Sequence, residues 1–434
     1  MKFPRPAMAA ACALAATALV AGCSSSSSSP SASSSNQKVT LTFWSWVPNM
    51  QKIVNVWNAS HPDIQIKFTE AAGGDSELAK LLTSGKAKDM PDLAQIEYQS
   101  LPTMVSNNYL ADISSYDDSL KSDYPTGIWN QVTLGTSALY GVPQDAAPLA
   151  FFYRKDLFTK YHLAVPTTWA QYATEAVQLH KDDPSVYMGD TATTDAGLFA
   201  GLTQQAGAQW WSSTGTTWSV GIDSAAAQKV ASFWGGLVQQ HALDSQTAWT
   251  ASWDKSFSSG EYASWVSAVW APGDLESQAA NTSGDWAMAE LPQWSAGQNV
   301  SGAWGGSATS VTADSQHPQQ AAEFIAWLNQ SSQGTSLLVS DGSIYPASLT
   351  AESSSSLPAQ TFMNQSDFYT LAKQYSADTA AATWGPDVDV AYSDFGDDFA
   401  STVTTESGYL TALSKLQSSV VTDMKSAGFT VSTS

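Results

Sequence analysis

Hydrophobic and polar positions after residue 38 follow two alternating periods. Runs in which every second residue is apolar predict strands, and runs with apolar residues three or four apart predict helices. The two patterns take turns, which is typical of an α/β layer with a largely parallel sheet. The predicted elements are the strand Val39–Trp44, a helix through Ile53, Val54 and Trp57, the strand Ile64–Phe68, a helix from Gly73 with Leu78, Leu81 and Leu82, and the strand Asp92–Ile96.

Ligands of such sheets gather at the carboxyl ends of the strands. Trp44 and Trp46 lie at the end of the first predicted strand. The loop Glu70–Asp75 follows the second strand, and Glu97–Gln99 follows the third. We therefore expect these segments to face a ligand.

The chain after Leu157 is richer in helical patterns. Pro166 precedes a helix for which Thr167 or Thr168 is the expected N-cap. An apolar strand is predicted at Ser264–Val269. Further helices are predicted near Ala225–Gln240, Pro318–Asn329 and Tyr409–Ala427.

The amino terminus has the pattern of a secretion signal. Lys2 and Arg5 precede an uncharged apolar run, Ala7–Ala21, which is too short to span a bilayer. Small residues directly before Cys23 resemble the lipobox of bacterial lipoproteins, in which the cysteine is lipidated and becomes the new amino terminus. An ordinary signal peptide with a cysteine at its cleavage site is the alternative. The serine-rich tether 23–38 favours lipidation, because it cannot bury apolar area and therefore remains slack.

Composition excludes several classes of function. The net charge of −21 argues against nucleic-acid binding, which needs a basic surface. Beyond the signal, Arg154 is the one arginine, so a site for anions is unexpected. No cysteine follows Cys23 and the five histidines are widely spaced, so we expect no disulfide, metal site or cofactor.

Aromatic residues are unusually frequent in this chain, which has 18 tryptophans. Several of them stand beside Gly, Ser or Pro rather than inside apolar runs, where turns are expected and a flat ring can meet a sugar. We expect Trp304, which precedes Gly305, to be the principal platform. Trp270 and Trp46 are expected to be secondary ones.

Three groups of segments resemble the family 1 extracellular solute-binding proteins, the lipoprotein receptors of sugar ABC importers. They are Leu81–Lys86 with Pro91–Leu93; Gly141–Pro148 with Tyr153–Phe158 and Pro166–Trp169; and Leu291–Trp294 with Gly302–Ser307 and Ala321–Ile325.

This resemblance implies a two-lobed α/β fold, the type II periplasmic-binding-protein fold, with a hinge and a ligand cleft between the lobes. Lobe 1 would comprise 39–147 and 303–346, and lobe 2 would comprise 148–302 and 347–434. The implied partners are a sugar, which the protein binds without catalysing a reaction, and the permease of the importer. The resemblance also implies a monomer that is held at the outer face of the cell membrane. The candidate ligand-binding residues are Trp44, Trp46, Asp75, Glu97, Tyr98, Asp145, Trp270, Trp304, Gly305, Tyr345 and Trp384.

Two enzymatic alternatives compete with this interpretation. Ser76, Asp314 and His317 imitate elements of a lipase-like esterase, but no Gly-x-Ser-x-Gly elbow is present. A glycoside hydrolase needs only a pair of carboxylates, and 39 acidic residues leave that alternative open. The acidic stretch Asp387–Asp398 lacks the glycine of an EF-hand loop, so a solvated face is the better interpretation.

Overall fold

The computed structural model describes residues 38–116, 120–191, 193–353, 357, 360–400 and 403–432, apart from the side chains of Asp75 and Leu120. The predicted signal and the tether up to residue 37, with Cys23, lie outside the described residues. Within the described part, no helix is both long enough and apolar enough to cross a bilayer.

Strands and helices alternate through the first third of the chain, as the periodicity predicts. The strands are β1 Val39–Ser45, β2 Ile64–Glu70, β3 Leu93–Glu97, β4 Val142–Asp145, β5 Leu149–Arg154, β6 Trp211–Thr214, β7 Thr217–Val220, β8 Ser264–Ala268, β9 Trp286–Ala289, β10 Ser307–Val311 and β11 Thr430–Val431. The helices are α1 Met50–Ser60, α2 Gly74–Ala87, α3 Leu101–Ser106, α4 Thr126–Thr133, α5 Lys155–Lys160, α6 Trp169–Asp182, α7 Ala196–Gln205, α8 Ala225–Gln239, α9 Ala251–Ser259, α10 Ala271–Gln278, α11 Pro318–Gln330, α12 Ser332–Ser340, α13 Leu349–Glu352, α14 Phe368–Ala377, α15 Val388–Asp398 and α16 Glu406–Ser426.

The first sheet of the described chain has five strands in the order β2-β1-β3-β10-β4. β10 runs antiparallel to both of its neighbours, whereas β1, β2 and β3 are parallel to one another. Leu41 and Phe43 of β1 are fully buried, and the Phe43 ring meets Phe324 of α11 at 5.5 Å between centroids. This packing confirms the predicted α/β layer and places four strand carboxyl ends along one edge.

The second sheet has the antiparallel order β8-β5-β9, and a third sheet has the order β11-β7-β6. The β6–β7 hairpin has no counterpart in the sequence prediction. Its residues are mostly Ser and Thr, and three of the four side chains of β6 are exposed. The sequence therefore has no hydrophobic alternation here that would predict a strand. The N-cap of α6 is Thr168, whose hydroxyl accepts a hydrogen bond from the Gln171 amide.

Three segments of the described chain pass between the first and second sheets, namely 146–148, 301–306 and 344–347. They are joined to one another by backbone hydrogen bonds. The Ala146 amide donates to the Tyr345 carbonyl at 3.0 Å, and the Trp304 amide donates to the Ala147 carbonyl at 3.0 Å. These segments lie where the resemblance places the boundaries between the two lobes. The assignment of residues to each lobe stays a prediction.

A close approach of two glycines fixes α7 against the second of these segments. A Cβ on Gly302 would stand 1.8 Å from the Gly201 carbonyl oxygen, and one on Gly201 would stand 2.5 Å from the Ala303 oxygen. Both distances are far below van der Waals contact, so only glycine allows the two backbones to touch here. The contact holds the middle of α7 against the second crossing segment.

Candidate functional site

A cavity of about 970 Å³ lies between the carboxyl edge of the first sheet and the elements around the second sheet. One wall comes from the ends of β1 to β4 and from the start of β10. The facing wall comes from the loops before α7 and α9 and from α10. The aromatic, acidic and amide residues of its lining are Trp46, Gln95, Glu97, Gln99, Asp145, Asp195, Trp249, Trp270, Asp274, Glu276, Trp304 and Tyr392.

Five tryptophans of the described chain pack into one cluster at this cavity, and the deepest, Trp253, lies 5.0 Å from Trp249 and 5.5 Å from Trp265 between ring centroids. The rings of Trp270 and Trp304 meet at 4.7 Å between centroids in an edge-to-face arrangement. Trp265 of β8 is buried below them, at 5.7 Å from Trp270 and 6.2 Å from Trp304. Trp249 covers the cluster from the cavity side, 6.0 Å from Trp304. The result is a shelf of indole rings, with Trp249 outermost.

Trp249 is 49% exposed, more than any other large hydrophobic residue of the described chain. It precedes Thr250, the N-cap of α9, and its backbone is left-handed with φ of 60°. Its indole Nε1 donates to Asp195 Oδ2 at 3.0 Å, which fixes the orientation of the ring. Sequence reasoning missed this residue, although a tryptophan next to a capping threonine resembles the loop tryptophans that it singled out.

Trp304 lines the cavity but is only 7% exposed. The ring packs so closely on α7 that a Cβ at Gly197 would stand 2.7 Å from its Cδ1 atom. Gly305 and Gly306 follow with φ of 81° and 85°, a conformation that favours glycine. A side chain on Gly306 would meet the Tyr98 ring at 2.9 Å. The turn therefore brings backbone, rather than the Trp304 ring face, to the cavity.

The cavity is acidic. Five carboxylate residues line it, and no lysine, arginine or histidine stands among its described lining residues. The five are Glu97, Asp145, Asp195, Asp274 and Glu276. Carboxylates accept strong hydrogen bonds from ligand hydroxyls, while their charges repel an anionic ligand.

Asp145 lies at the end of β4, where the first segment crosses to the second sheet. Burial raises the pKa of this carboxyl to about 6, and the hydroxyl of Ser307, which donates to Oδ1, opposes that rise. The Tyr98 hydroxyl donates to the Asp145 carbonyl at 3.0 Å. Tyr98 thus supports the backbone that carries Asp145, and it does not itself line the cavity.

Asp274 lies in the first turn of α10 on the facing wall. Burial raises its pKa to about 6, and the nearby charge of Asp254 adds to the rise. Sequence reasoning missed this residue because nothing local indicates which turn of a helix will face a cleft. The two walls thus each hold a carboxyl that is poorly solvated without a ligand.

The structure brings together Trp46, Glu97, Asp145, Trp270, Trp304 and Gly305, all predicted from the sequence. Other predicted residues lie elsewhere. The Trp44 ring lies under the Lys80 ammonium, 3.8 Å from the ring centroid. Tyr345 is buried in the third crossing segment, and Trp384 is buried beside Trp211 at 6.3 Å. Asp75 belongs to α2, but its side chain lies outside the described part of the structure.

The triad of the esterase alternative does not assemble. Ser76 lies in the first turn of α2, at the carboxyl edge of the first sheet. Asp314 and His317 follow the end of β10, which is antiparallel to β3 and ends where β3 begins. The serine and the histidine therefore lie at opposite edges of the sheet.

Comparison with known proteins agrees with this architecture. Residues 44–334 match the family described as bacterial extracellular solute-binding protein. A lactose-binding protein of Rhizobium radiobacter is 25% identical over 299 residues, which cover 66% of this chain and 69% of that protein. An uncharacterized lipoprotein of Streptomyces antibioticus is 31% identical over 153 residues, which cover 32% of this chain and about a third (34%) of that protein.

Among solved structures, the galacto-N-biose-/lacto-N-biose I-binding protein of an ABC transporter from Bifidobacterium longum is 28% identical, with a TM-score of 0.81. The match covers 91% of this chain and 99% of that one. The fold is accordingly the two-lobed type II periplasmic-binding-protein fold that the resemblance implies.

The raised pKa of Asp274 predicts a pH-dependent cost to stability. Above about pH 6 the folded protein holds a charge that burial disfavours, and below about pH 4 both the folded and unfolded states are protonated. Asp274→Asn is therefore expected to raise the free energy of unfolding by about 1–3 kcal/mol at pH 7.5, and to change it little at pH 4. Thermal denaturation of the ligand-free protein at both pH values measures this.

Glu276→Gln is the matched control, since Glu276 is an exposed residue of the same helix. It is expected to leave the melting temperature nearly unchanged at either pH. A gain for Asp274→Asn that is the same at pH 4 and pH 7.5 would show that the carboxyl's charge is not the cause.

Proposed function

Because the chain belongs to the family of bacterial extracellular solute-binding proteins, we propose that it binds an uncharged oligosaccharide in this cavity and delivers it to an ABC importer. The observation that carries the proposal is the exposed indole of Trp249 above an acidic lining whose described residues include no lysine, arginine or histidine. A sugar ring offers a C–H face to an aromatic plane and hydroxyl donors to carboxylates. The cavity supplies both kinds of partner within one space.

The relatives support a sugar as the ligand. The Rhizobium radiobacter relative is named for lactose, and the Bifidobacterium longum structure holds lacto-N-biose. Both of these ligands are neutral, which agrees with the acidic lining. We propose that the protein closes on its ligand by a hinge motion at the three crossing segments, and that the permease recognises the closed form.

We propose further that the protein catalyses no reaction. The named relatives are binding proteins, and the esterase triad is split across the first sheet. Prolonged incubation with the bound sugar, followed by analysis of released monosaccharide, tests this directly. Release that depends on Asp145 or Asp274 would instead favour the hydrolase alternative.

The ligand class is tested by a thermal-shift panel of matched sugars, since a ligand of the native state raises the apparent stability. The panel comprises lactose, lacto-N-biose and the acid derivative lactobionate. We expect at least one neutral disaccharide to raise the melting temperature and lactobionate to have no effect. Stabilisation by the anion alone would contradict the proposal.

Trp249 is proposed as the principal platform in place of Trp304, because its ring is the exposed one. Trp249→Ala is expected to lower the sugar affinity about 30-fold, which corresponds to the roughly 2 kcal/mol typical of a buried aromatic anchor. Calorimetric titration with the neutral sugar from the panel is the measurement. Tyr116→Ala removes another exposed aromatic ring, 41% exposed and outside the cavity lining, and serves as the control. An affinity within threefold of wild type would exclude Trp249 as a platform.

Cys23 is proposed as the lipid anchor, with the serine-rich segment as its tether to the folded body. The lipobox pattern supports this, and so does the name of the Streptomyces antibioticus relative, a lipoprotein. Cys23→Ala is expected to release a folded protein from the membrane fraction into the medium. Cys12→Ala, a cysteine inside the predicted signal, is the control that leaves anchoring intact. Continued sedimentation of Cys23→Ala with membranes would disprove the anchor.

A further inference from the structure

A chain of hydrogen bonds runs along the first-sheet wall of the cavity from Ser45, the last residue of β1, to Asp145. The Ser45 hydroxyl donates to Gln95 Oε1 at 2.7 Å, and Gln95 Nε2 donates to the Ser307 hydroxyl oxygen at 2.9 Å. The Ser307 hydroxyl in turn donates to Asp145 Oδ1. Ser45, Gln95 and Ser307 are each at most 2% exposed, so water does not compete for these bonds.

Two backbone amides fix the direction of this chain. The Trp46 amide donates to Gln95 Oε1 at 3.2 Å, and an amide N–H can only donate. The side-chain oxygen of Gln95 must therefore face Trp46, which turns its NH₂ group toward Ser307. The Val47 amide donates to the Ser45 hydroxyl oxygen at 3.2 Å, which leaves the Ser45 proton for Gln95. Because Ser307 accepts from Gln95, its own proton is directed to Asp145.

The chain therefore ends on Asp145 as an obligatory acceptor. A carboxylate satisfies this role at Oδ1, and the bond does not engage Oδ2. The same glutamine oxygen holds the backbone of Trp46, which lines the cavity beside Asp145. One buried amide thus joins an aromatic residue of the lining to an acidic one.

We propose that Gln95 and Ser307 are positioning residues. They hold Asp145 as an ionised carboxylate that accepts hydrogen bonds from ligand hydroxyls, and they connect it to the backbone of Trp46 in the loop after β1. The proposal rests on the proposed sugar-binding function. Neither residue needs to touch the sugar for this role. It deepens that function by naming the groups that set the protonation and orientation of a ligand-binding carboxylate.

Other charged groups around Asp145 are few in the described structure. On the elements packed against β4, neither β10 nor α4 carries a titratable residue, and α11 carries only the exposed Glu323. The Tyr98 hydroxyl and the Tyr345 carbonyl both contact the peptide group between Asp145 and Ala146. Glu97, Asp195, Asp274 and Glu276 share the cavity lining, and burial is the largest of the influences that oppose the ionisation of Asp145. The Ser307 donor acts against all of these.

The first experiment follows the side-chain carboxyl of Asp145 by carbon-13 NMR in the ligand-free protein from pH 4 to pH 8. The wild-type midpoint is expected near pH 6. Ser307→Ala removes a donor that favours the charged form, so its midpoint is expected about one pH unit higher. Gln95→Met is expected to shift it in the same direction, since the Ser307 hydroxyl is then free to rotate.

Ser310→Ala is the matched control. Ser310 lies on the same strand and is fully buried, and its hydroxyl has no hydrogen-bond partner among the described residues. It is expected to leave the midpoint at the wild-type value, and Ser307→Thr, which keeps the hydroxyl, is expected to do so too. An unchanged midpoint in both Ser307→Ala and Gln95→Met would overturn the proposal.

The second experiment measures lactose or lacto-N-biose affinity at pH 8 and pH 6. Protonation of Asp145 removes its charge and weakens it as an acceptor of ligand hydroxyls, so wild type is expected to lose about twofold in affinity over this range and Ser307→Ala about tenfold. Equal losses in the two proteins would overturn the positioning role. If the NMR midpoint shifts as expected but neither sugar binds wild type, the proposed function fails while the hydrogen-bond chain stands.

Discussion

The backbone pairing of the three crossing segments is the constraint on which the site depends. Leu149 donates to the Gly302 carbonyl at 2.9 Å, and the bonds of Ala146 and Trp304 continue the pairing to the third segment. The antiparallel pairing of β4 with β10, in which Asp145 is the partner of Ser307, adjoins these bonds at the base of the cavity. A change in the geometry of these few residues would alter the distance between the two walls.

The two walls contribute different chemistry. The first-sheet wall presents strand-end polar groups such as Glu97 and Asp145, and the facing wall presents the tryptophan shelf with Asp274. Each wall alone offers part of the proposed sugar site, and the two together place an aromatic face opposite hydroxyl acceptors. Burial raises the pKa of Asp145 and that of Asp274 to about 6, because the carboxyls on both walls are poorly hydrated. Ligand hydroxyls would replace part of the lost hydration.

Much of the first sheet could be predicted from the sequence, because β1, α1, β2 and α2 each carry a complete hydrophobic period. The rule for strand ends then placed Trp46 and Glu97 at the cavity. Local pattern fails where tertiary packing decides. The glycines after Trp304 suggested an open ring, but the ring packs on Gly197. Trp249 lines the cavity because the loop before α9 folds over the tryptophan cluster. The hydrophobic pattern of the sequence does not predict the path of that loop.

A crystal structure of the protein with the neutral disaccharide that binds it tests the central claim most directly. The account predicts a sugar ring that lies parallel to the Trp249 indole, with about 4–5 Å between the centre of the sugar ring and the centre of the indole. It also predicts a sugar hydroxyl within hydrogen-bond distance of an Asp145 carboxylate oxygen. Density for the sugar outside the cavity, or inside it with neither contact, would contradict the account.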